Sequence, residues 1–179
     1  MIKKLSASLI ILALFTTVAA FGQNMVKQNL AGIATIDFPA EPGESAIPNG
    51  FGKFFKLVES TQNYIAVVIN IDTAKVNIRS SADLDLFYSG VVEGAADSTQ
   101  NRRRIYTKQI MAGKYKGVEF KYLDESTARK FTTYQRIVYL DATLLMYSFN
   151  VYDDQHAMNA ERDRFLNSFT ITKTTAKQL

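Results

Sequence analysis

Two strand-like runs that meet at a short turn constrain this chain more than any other feature. Phe131 to Leu140 and Thr143 to Tyr152 flank Asp141-Ala142, and in a strand the alternate residues of the second run fall on opposite faces. One of its faces is apolar throughout, with Leu145, Tyr147, Phe149 and Val151. The opposite face carries Leu144 and Met146 but also Ser148 and Asn150, which predicts partial cover on that side. These runs predict a hairpin at the centre of the core.

A terminal helix is predicted to pack on that hairpin. Asp153-Asp154 provides an N-cap, and the helix is expected to run to Phe169. Its apolar residues are spaced so that they share one side: Met158, Phe165, Leu166 and Phe169. The segment from Phe131 to Phe169 is therefore expected to be core.

The rest of the chain alternates strand-like and helix-like patterns. Ser80-Ser81 with Asp83 predicts the start of an amphipathic helix of about three turns. Residues 23–32 are expected to form a polar leader, and residues 41–52, rich in Gly and Pro, an extended loop. Strands are predicted over Ala34–Phe38, Lys53–Glu59, Tyr64–Asp72, Arg103–Met111 and Lys116–Leu123. The last of these strands, Lys116–Leu123, is expected to point Val118, Phe120 and Tyr122 inward and Glu119 and Lys121 outward.

Successive hairpins imply antiparallel pairing, and strands that are apolar on both sides need cover on both sides. We therefore expect an α+β fold with one antiparallel sheet of roughly six to seven strands. Helices are expected on both of its faces, as a three-layer α/β/α sandwich.

The amino terminus has the pattern of a secretory signal peptide. Lys3 and Lys4 precede an apolar run that ends near Ala20, and small residues follow up to Gly22. The run is shorter than the roughly 20 residues that a membrane span requires. We expect cleavage after Gly22, a single domain over 23–179 with no transmembrane anchor, and a periplasmic or secreted location. The chain has no cysteine, which excludes disulfides and thiol chemistry.

Positive charge is concentrated in one stretch. Residues 102–136 contain ten basic and three acidic residues. The basic residues proposed to bind an anion or a partner are Arg102, Arg103, Arg104, Lys108, Lys121 and Arg136, with Lys114, Lys116, Arg129 and Lys130 nearby. The alternative is that these cations only solvate an exposed face and protect an edge strand from pairing.

Few residues of the sequence are candidates for a catalytic or metal site. His156 is the one histidine, and with Asp153 and Asp154 it could form an acid/His site of a hydrolase type. The three are better explained as the cap and first-turn charges of a helix and an ordinary surface histidine. Asp83 and Asp85 lie two apart on a predicted helix and so do not converge on one ion. The sequence contains no motif of a nucleotide, zinc or serine hydrolase site. We predict no catalytic residue, no metal and no cofactor.

Several segments resemble the PsbP-like family of small exported proteins. The resemblance rests on Gly32 to Pro42, Lys116 to Phe120, Arg136 to Leu140 with Leu145 to Tyr147, and Arg164 to Phe169. It implies an antiparallel sheet between helices and a binding or assembly role without known catalysis. Photosystem members of the family help stabilise a manganese site and an intracellular relative binds a small GTPase, but this chain has no motif that aligns with those functional residues.

Three functions are consistent with these patterns. The first is an exported, non-enzymatic binding or assembly module whose partner is a protein or an anionic glycolipid or other polyanion of the envelope. Nucleic acid is the least favoured anion, because export separates the protein from most of it. The second is the hydrolase-type enzyme with a site near Asp153, Asp154 and His156. The third is a carrier of a small apolar ligand, which requires a cavity between sheet and helix.

Overall fold

The structure is a computed structural model that describes residues 25–126, 128, 130–152 and 159–172. It contains ten strands and two α-helices in these ranges, together with two single turns of 3-10 helix at Pro48–Gly50 and Ser98–Gln100. The helices are α1 (Ser81–Ala95) and α2 (Asn159–Asn167). The strands are β1 (Val26–Leu30), β2 (Ala34–Phe38), β3 (Gly43–Ile47), β4 (Gly52–Val58), β5 (Gln62–Asn70), β6 (Arg102–Ala112), β7 (Tyr115–Asp124), β8 (Phe131–Leu140), β9 (Thr143–Tyr152) and β10 (Thr170–Ile171).

Seven strands form one sheet in the order β3-β4-β5-β9-β8-β7-β6, and every neighbouring pair is antiparallel. The other three form a small sheet in the order β1-β2-β10. β8 and β9 join through Asp141 and Ala142, both at positive φ, which fits the handedness of a tight two-residue hairpin turn. The predicted hairpins and the bounds of β8 and β9 are confirmed.

The large sheet is buried on both faces. On one face, here called the α1 face, Leu84, Tyr88 and Val92 of α1 pack with strand residues such as Phe120 and Ile137. On the other, here called the β2 face, α2 and the small sheet cover the apolar side of the central strands: Tyr64, Ala66, Val68, Leu145, Tyr147, Phe149 and Val151. The apolar face predicted for β9 therefore lies in the main core.

Helix α1 begins at a capping box. The Asp83 N–H donates to Ser80 Oγ at 3.1 Å, and the Ser80 N–H donates to Asp83 Oδ2 at 2.9 Å. In the middle of the helix, the Tyr88 hydroxyl donates to the Lys116 carbonyl at 2.8 Å and accepts from the Tyr139 N–H at 2.8 Å. Burial raises the pKa of Tyr88 to about 12. This hydroxyl fixes α1 to both β7 and β8, and the sequence pattern had indicated only its apolar ring.

The structure differs from the sequence-based expectations at several places. The polar leader contains β1, because its backbone pairs with β2, and the extended loop contains β3, which pairs with β4. The short β10, unpredicted, closes the small sheet. Glu119 is buried on the β2 face, not outward, because cations surround its carboxylate. The three-layer sandwich with helical outer layers is not confirmed, since a three-stranded sheet shares the cover of the β2 face.

Some expectations concern residues outside the described ranges. These are the signal peptide over 1–22, the cap at Asp153-Asp154, His156 and Met158. Within the described ranges, α2 begins at Asn159, and Phe165 and Leu166 are its buried residues. No helix in these ranges is long and apolar enough to span a membrane.

Replacing Phe165 tests the orientation of α2. The ring is fully buried and packs edge-on against Phe38 and Tyr64, at 5.2 Å between centroids in each case. Phe165→Ala should lower the free energy of unfolding by about 3–5 kcal/mol, because it leaves a cavity that the strands cannot fill. Urea unfolding measures this loss. Leu86→Ala on the exposed side of α1 is the control and should change stability by no more than about 0.5 kcal/mol, since Leu86 is 72% exposed. Equal losses in the two variants would show that α2 faces the other way.

Candidate functional site

The six cations predicted to bind an anion or a partner are divided between the two faces of the sheet. Directly opposed residues on neighbouring strands project to the same face. Arg102 and Arg104 oppose Asp124 and Tyr122 and lie on the α1 face. The remaining four oppose residues whose side chains are on the β2 face: Arg103, Lys108, Lys121 and Arg136. The basic stretch of sequence therefore does not form one continuous patch.

Arg102 is part of a structural ion pair. Its Nε lies 2.8 Å from Oδ2 of Asp124, which is 1% exposed, and the Ser126 N–H donates to the other oxygen of that carboxylate at 2.9 Å. Burial alone would raise the pKa of Asp124, but the hydrogen bonds from Ser126 and Arg102 outweigh it and hold the pKa below its usual range. Arg102 thus compensates a buried charge where β6 begins.

Lys108 and Arg136 are occupied by a second buried carboxylate. Lys108 Nζ lies 2.8 Å from Oε1 of Glu119, and Arg136 Nε lies 2.6 Å from Oε2. The Tyr106 hydroxyl donates to Oε1 at 2.9 Å. Burial opposes ionisation of Glu119, yet these three donors together lower its pKa. The pKa of Tyr106 is raised, first by burial and then by its hydrogen bond to this carboxylate.

Arg136 also joins the sheet to α2. Its Nη1 donates to the Leu166 carbonyl at 2.8 Å and to Asn167 Oδ1 at 2.9 Å, at the end of the helix. A cation at this end satisfies carbonyls that have no partner inside the helix and interacts favourably with the helix dipole. The guanidinium therefore holds β7, β8 and α2 together.

Lys121 rests on an aromatic ring. Its Nζ lies 4.8 Å from the centroid of Tyr134, and Arg162 of α2 lies 4.5 Å from the same centroid. Cations at such distances are attracted by the negative face of the ring. The three neighbouring lysines also have contacts within the fold: Lys116 with Ser81, Lys114 with the ring of Tyr115, and Lys130 with Glu125. Arg129 is outside the described residues. Most of the basic stretch is engaged within the fold.

Arg103 and Arg104 differ from the other cations of the stretch. Both are exposed, and within the described ranges neither has a carboxylate at ion-pair distance. They lie at the wall of an open cleft of about 890 Å³ between the end of α1 and the start of β6. Glu93, Asp97 and Glu125 also line this cleft. The cleft is thus mixed in charge, and its two adjacent arginines are its available anion-binding groups.

A smaller groove lies between α1 and β6 on the α1 face. It has a volume of about 230 Å³ and a floor of Val92 and Val118. Asp85 and Ser89 of the helix line one side, and Arg104, Thr107 and Gln109 of β6 line the other. It is open along the edge of the sheet, because β6 is the last strand in that direction among the described residues.

The acid/His hypothesis cannot be located in the structure, since Asp153, Asp154 and His156 lie outside the described residues and the hypothesis stays a prediction. Among the residues that are described, no three His, Cys, Asp or Glu side chains are grouped so that they could hold a metal ion. Asp83 is used by the capping box of α1, and Asp85 lies at the rim of the groove.

A low-pH measurement tests the role of Glu119. Glu119→Gln should lower the free energy of unfolding by about 1.5–3 kcal/mol near neutral pH, because it removes charged hydrogen bonds. The folded pKa is depressed, so this stability is present above the unfolded pKa of about 4.3 and is lost as pH falls through the folded value. Wild type and variant should therefore begin to converge in urea unfolding as pH falls below about 4.3, and should become equal only below the folded pKa.

The matched control is Glu41→Gln, which removes an exposed carboxylate elsewhere. It should leave stability within about 0.5 kcal/mol at every pH. A constant difference between wild type and Glu119→Gln from neutral to acidic pH would contradict the assigned role.

Comparisons with known proteins extend only to the fold. No model of a protein family matches the chain, and no curated protein matches it. The solution structure of cyanobacterial PsbP (CyanoP) from Synechocystis sp. PCC 6803 is similar, with a TM-score of 0.59 and 12% identity, over 86% of this chain and 96% of that one. The chain therefore has a PsbP-like fold, as the sequence resemblance implied.

Two other solved structures are more distant. A protein from Bacteroides thetaiotaomicron VPI-5482 has a TM-score of 0.50 and 13% identity over 87% of this chain, which spans about half (51%) of that protein. LpqN, described as involved in cell envelope biogenesis of Mycobacterium tuberculosis, has a TM-score of 0.46 and 12% identity, over 86% of this chain and 88% of that one. At these identities the likeness concerns architecture and transfers no binding residue.

Proposed function

We propose that this protein is an exported, non-enzymatic binding or assembly module that meets its partner at the amino-terminal end of β6. The partner is a protein or an anionic component of the envelope. The observation that carries the proposal is the contrast within the basic stretch: Arg102, Lys108 and Arg136 pair with buried acids, whereas Arg103 and Arg104 are exposed beside an open cleft.

The adjacent Arg103 and Arg104, which form no ion pair among the described residues, are the part of the stretch that can act on a partner. A cation paired with a buried carboxylate is needed by the fold and adds little to the field outside the protein. Arg103 and Arg104 project from opposite faces of β6 at the wall of one cleft, and each guanidinium group can donate several hydrogen bonds to an anionic group of a partner, such as a carboxylate or phosphate. Their charge also steers an anionic partner at low salt.

Export is supported by the amino-terminal pattern of Lys3, Lys4 and the apolar run that follows. We propose cleavage near Gly22 and a periplasmic or secreted location for residues 23–179. The absence of cysteine is compatible with either location, because the core of the large sheet is stabilised by packing.

The carrier of a small apolar ligand is less well supported. The groove between α1 and the sheet is the kind of space that this function needs, but its volume of about 230 Å³ is below the roughly 300–1,000 Å³ typical of ligand sites. Its rim is polar and includes Asp85 and Arg104. A space of this size fits one or two small side chains of a larger partner better than a whole ligand.

Heparin-agarose and vesicles of phosphatidylglycerol provide anionic probes for the site. We expect weak binding at low salt that disappears as salt rises from about 50 to 200 mM, because screening shortens the reach of surface charges. Arg103→Ala with Arg104→Ala should abolish it or shift elution from heparin to clearly lower salt. The control, Lys56→Ala with Lys75→Ala, removes the same charge from two other exposed positions and should elute close to the wild type.

Two results would contradict the proposal. One is the absence of binding to either probe at low salt. The other is an equal loss of binding in the arginine and lysine variants, which would mean that only net charge matters.

A further inference from the structure

The outer edge of β6 is available along a regular stretch. From Tyr106 to Ala112 the strand pairs residue by residue with β7, without interruption. No strand adjoins its other side in the part of the chain that the structure describes. Backbone N–H and C=O groups on such an edge are a template for one more strand.

Features that protect a strand edge from pairing with another strand are concentrated in β6 just before Tyr106. The pairing of β6 with β7 shifts between Arg104 and Tyr106, which leaves Ile105 as a β-bulge next to the three arginines. Bulges and exposed cations both discourage pairing. After the bulge, Lys108 is the single charged residue up to Ala112, and it is held by Glu119. The second part of β6 therefore lacks this protection.

The groove beside α1 provides a place for side chains of an added strand. Thr107 and Gln109 project to the α1 face and are exposed at the groove wall, and Val92 and Val118 form its floor. An added strand projects alternate side chains to the same face. One or two apolar side chains of valine size would therefore enter the groove while the backbone pairs with β6.

We propose that the β6 edge and this groove bind an extended segment of another protein as an additional antiparallel strand, an inference that rests on the proposed function. All pairs of the large sheet are antiparallel. In that orientation the carboxyl-terminal end of the segment lies beside Arg103 and Arg104. The segment recognised is therefore apolar at the positions facing the groove and acidic at its carboxyl-terminal end.

A second copy of this chain is a poorer occupant. Antiparallel pairing of two β6 strands would bring the Arg103 and Arg104 end of one copy near the Lys114 end of the other, where no acid compensates the charge. The opposite edge of the sheet, β3, is five residues long and carries one acid, Glu44. Neither edge of a second copy matches an acidic, extended segment.

The test uses the full chain and a synthetic probe, the acetylated and amidated peptide TTTVTVTEE carrying a fluorophore. Its two valines fall opposite Gln109 and Thr107, and its two glutamates fall beside the arginines. Fluorescence anisotropy should show saturable binding. The peptide TTTVTVTKK should bind at least about tenfold more weakly, because its charge is reversed.

Amide hydrogen exchange identifies the mode of binding. With the probe bound, alternate amides between Tyr106 and Ala112, those that point away from β7, should become protected, and the amides of β3 should not change. N-methylation of the probe at alternate residues should weaken binding about tenfold or more at one set of positions and little at the other, because only one set donates to β6. Thr107→Trp should block the groove, whereas Thr99→Trp outside it should not.

Each outcome decides between alternatives. Protection that is confined to β6, together with alternating N-methyl effects, supports strand addition. Binding without edge protection, equal N-methyl effects, or protection caused by self-association at high protein concentration overturns it. Heparin binding that depends on the arginines, in a protein that binds no peptide, would overturn this inference and leave the proposed function intact.

Discussion

The pairing of β9 with its two neighbours determines most of this structure. β9 pairs from Thr143 to Val151 with β5 on one side and along its whole length with β8 on the other. Its odd-numbered residues from Leu145 to Val151 point into the core under α2 and the small sheet, and burial of each such side chain stabilises the fold by about 1.5–3 kcal/mol. Helix α2 and the small sheet both pack on the apolar surface that this strand register creates.

Two buried carboxylates determine which cations remain available at the surface. Asp124 and Glu119 are taken out of water, and each is stable there only because cations and hydroxyl groups compensate its charge. The basic stretch, which appears in the sequence as a single feature, is thereby divided by the strand register into structural and available cations. Of the six cations predicted to bind an anion or a partner, this division leaves Arg103 and Arg104, the two arginines before the bulge of β6, as the candidates.

The sequence predicted local structure well where one pattern dominated. The two strand-like runs on either side of Asp141-Ala142 located β8 and β9, and Ser80 with Asp83 located the start of α1. The prediction failed for β1, β3 and β10, which are short, have weak patterns, and exist because neighbouring backbones offer hydrogen bonds.

The same limit applies to the site. Period-two alternation placed Glu119 outside, because a charged residue between apolar ones is normally solvated. Its burial depends on Lys108 and Arg136, which are 11 and 17 residues away in the chain and meet it only through the register of three strands. The sequence could identify the cations but not which of them the fold would use.

The turn at Asp141-Ala142 has a consequence for how this chain can change in length. It contains only two residues, both in the left-handed region, and joins two strands that pair from their first residue onward. One additional residue would have to be absorbed as a bulge, or the pairing would slip and exchange the two faces of β9. The core hairpin therefore tolerates substitutions far better than insertions, and length variation among related chains belongs in the longer connections around it.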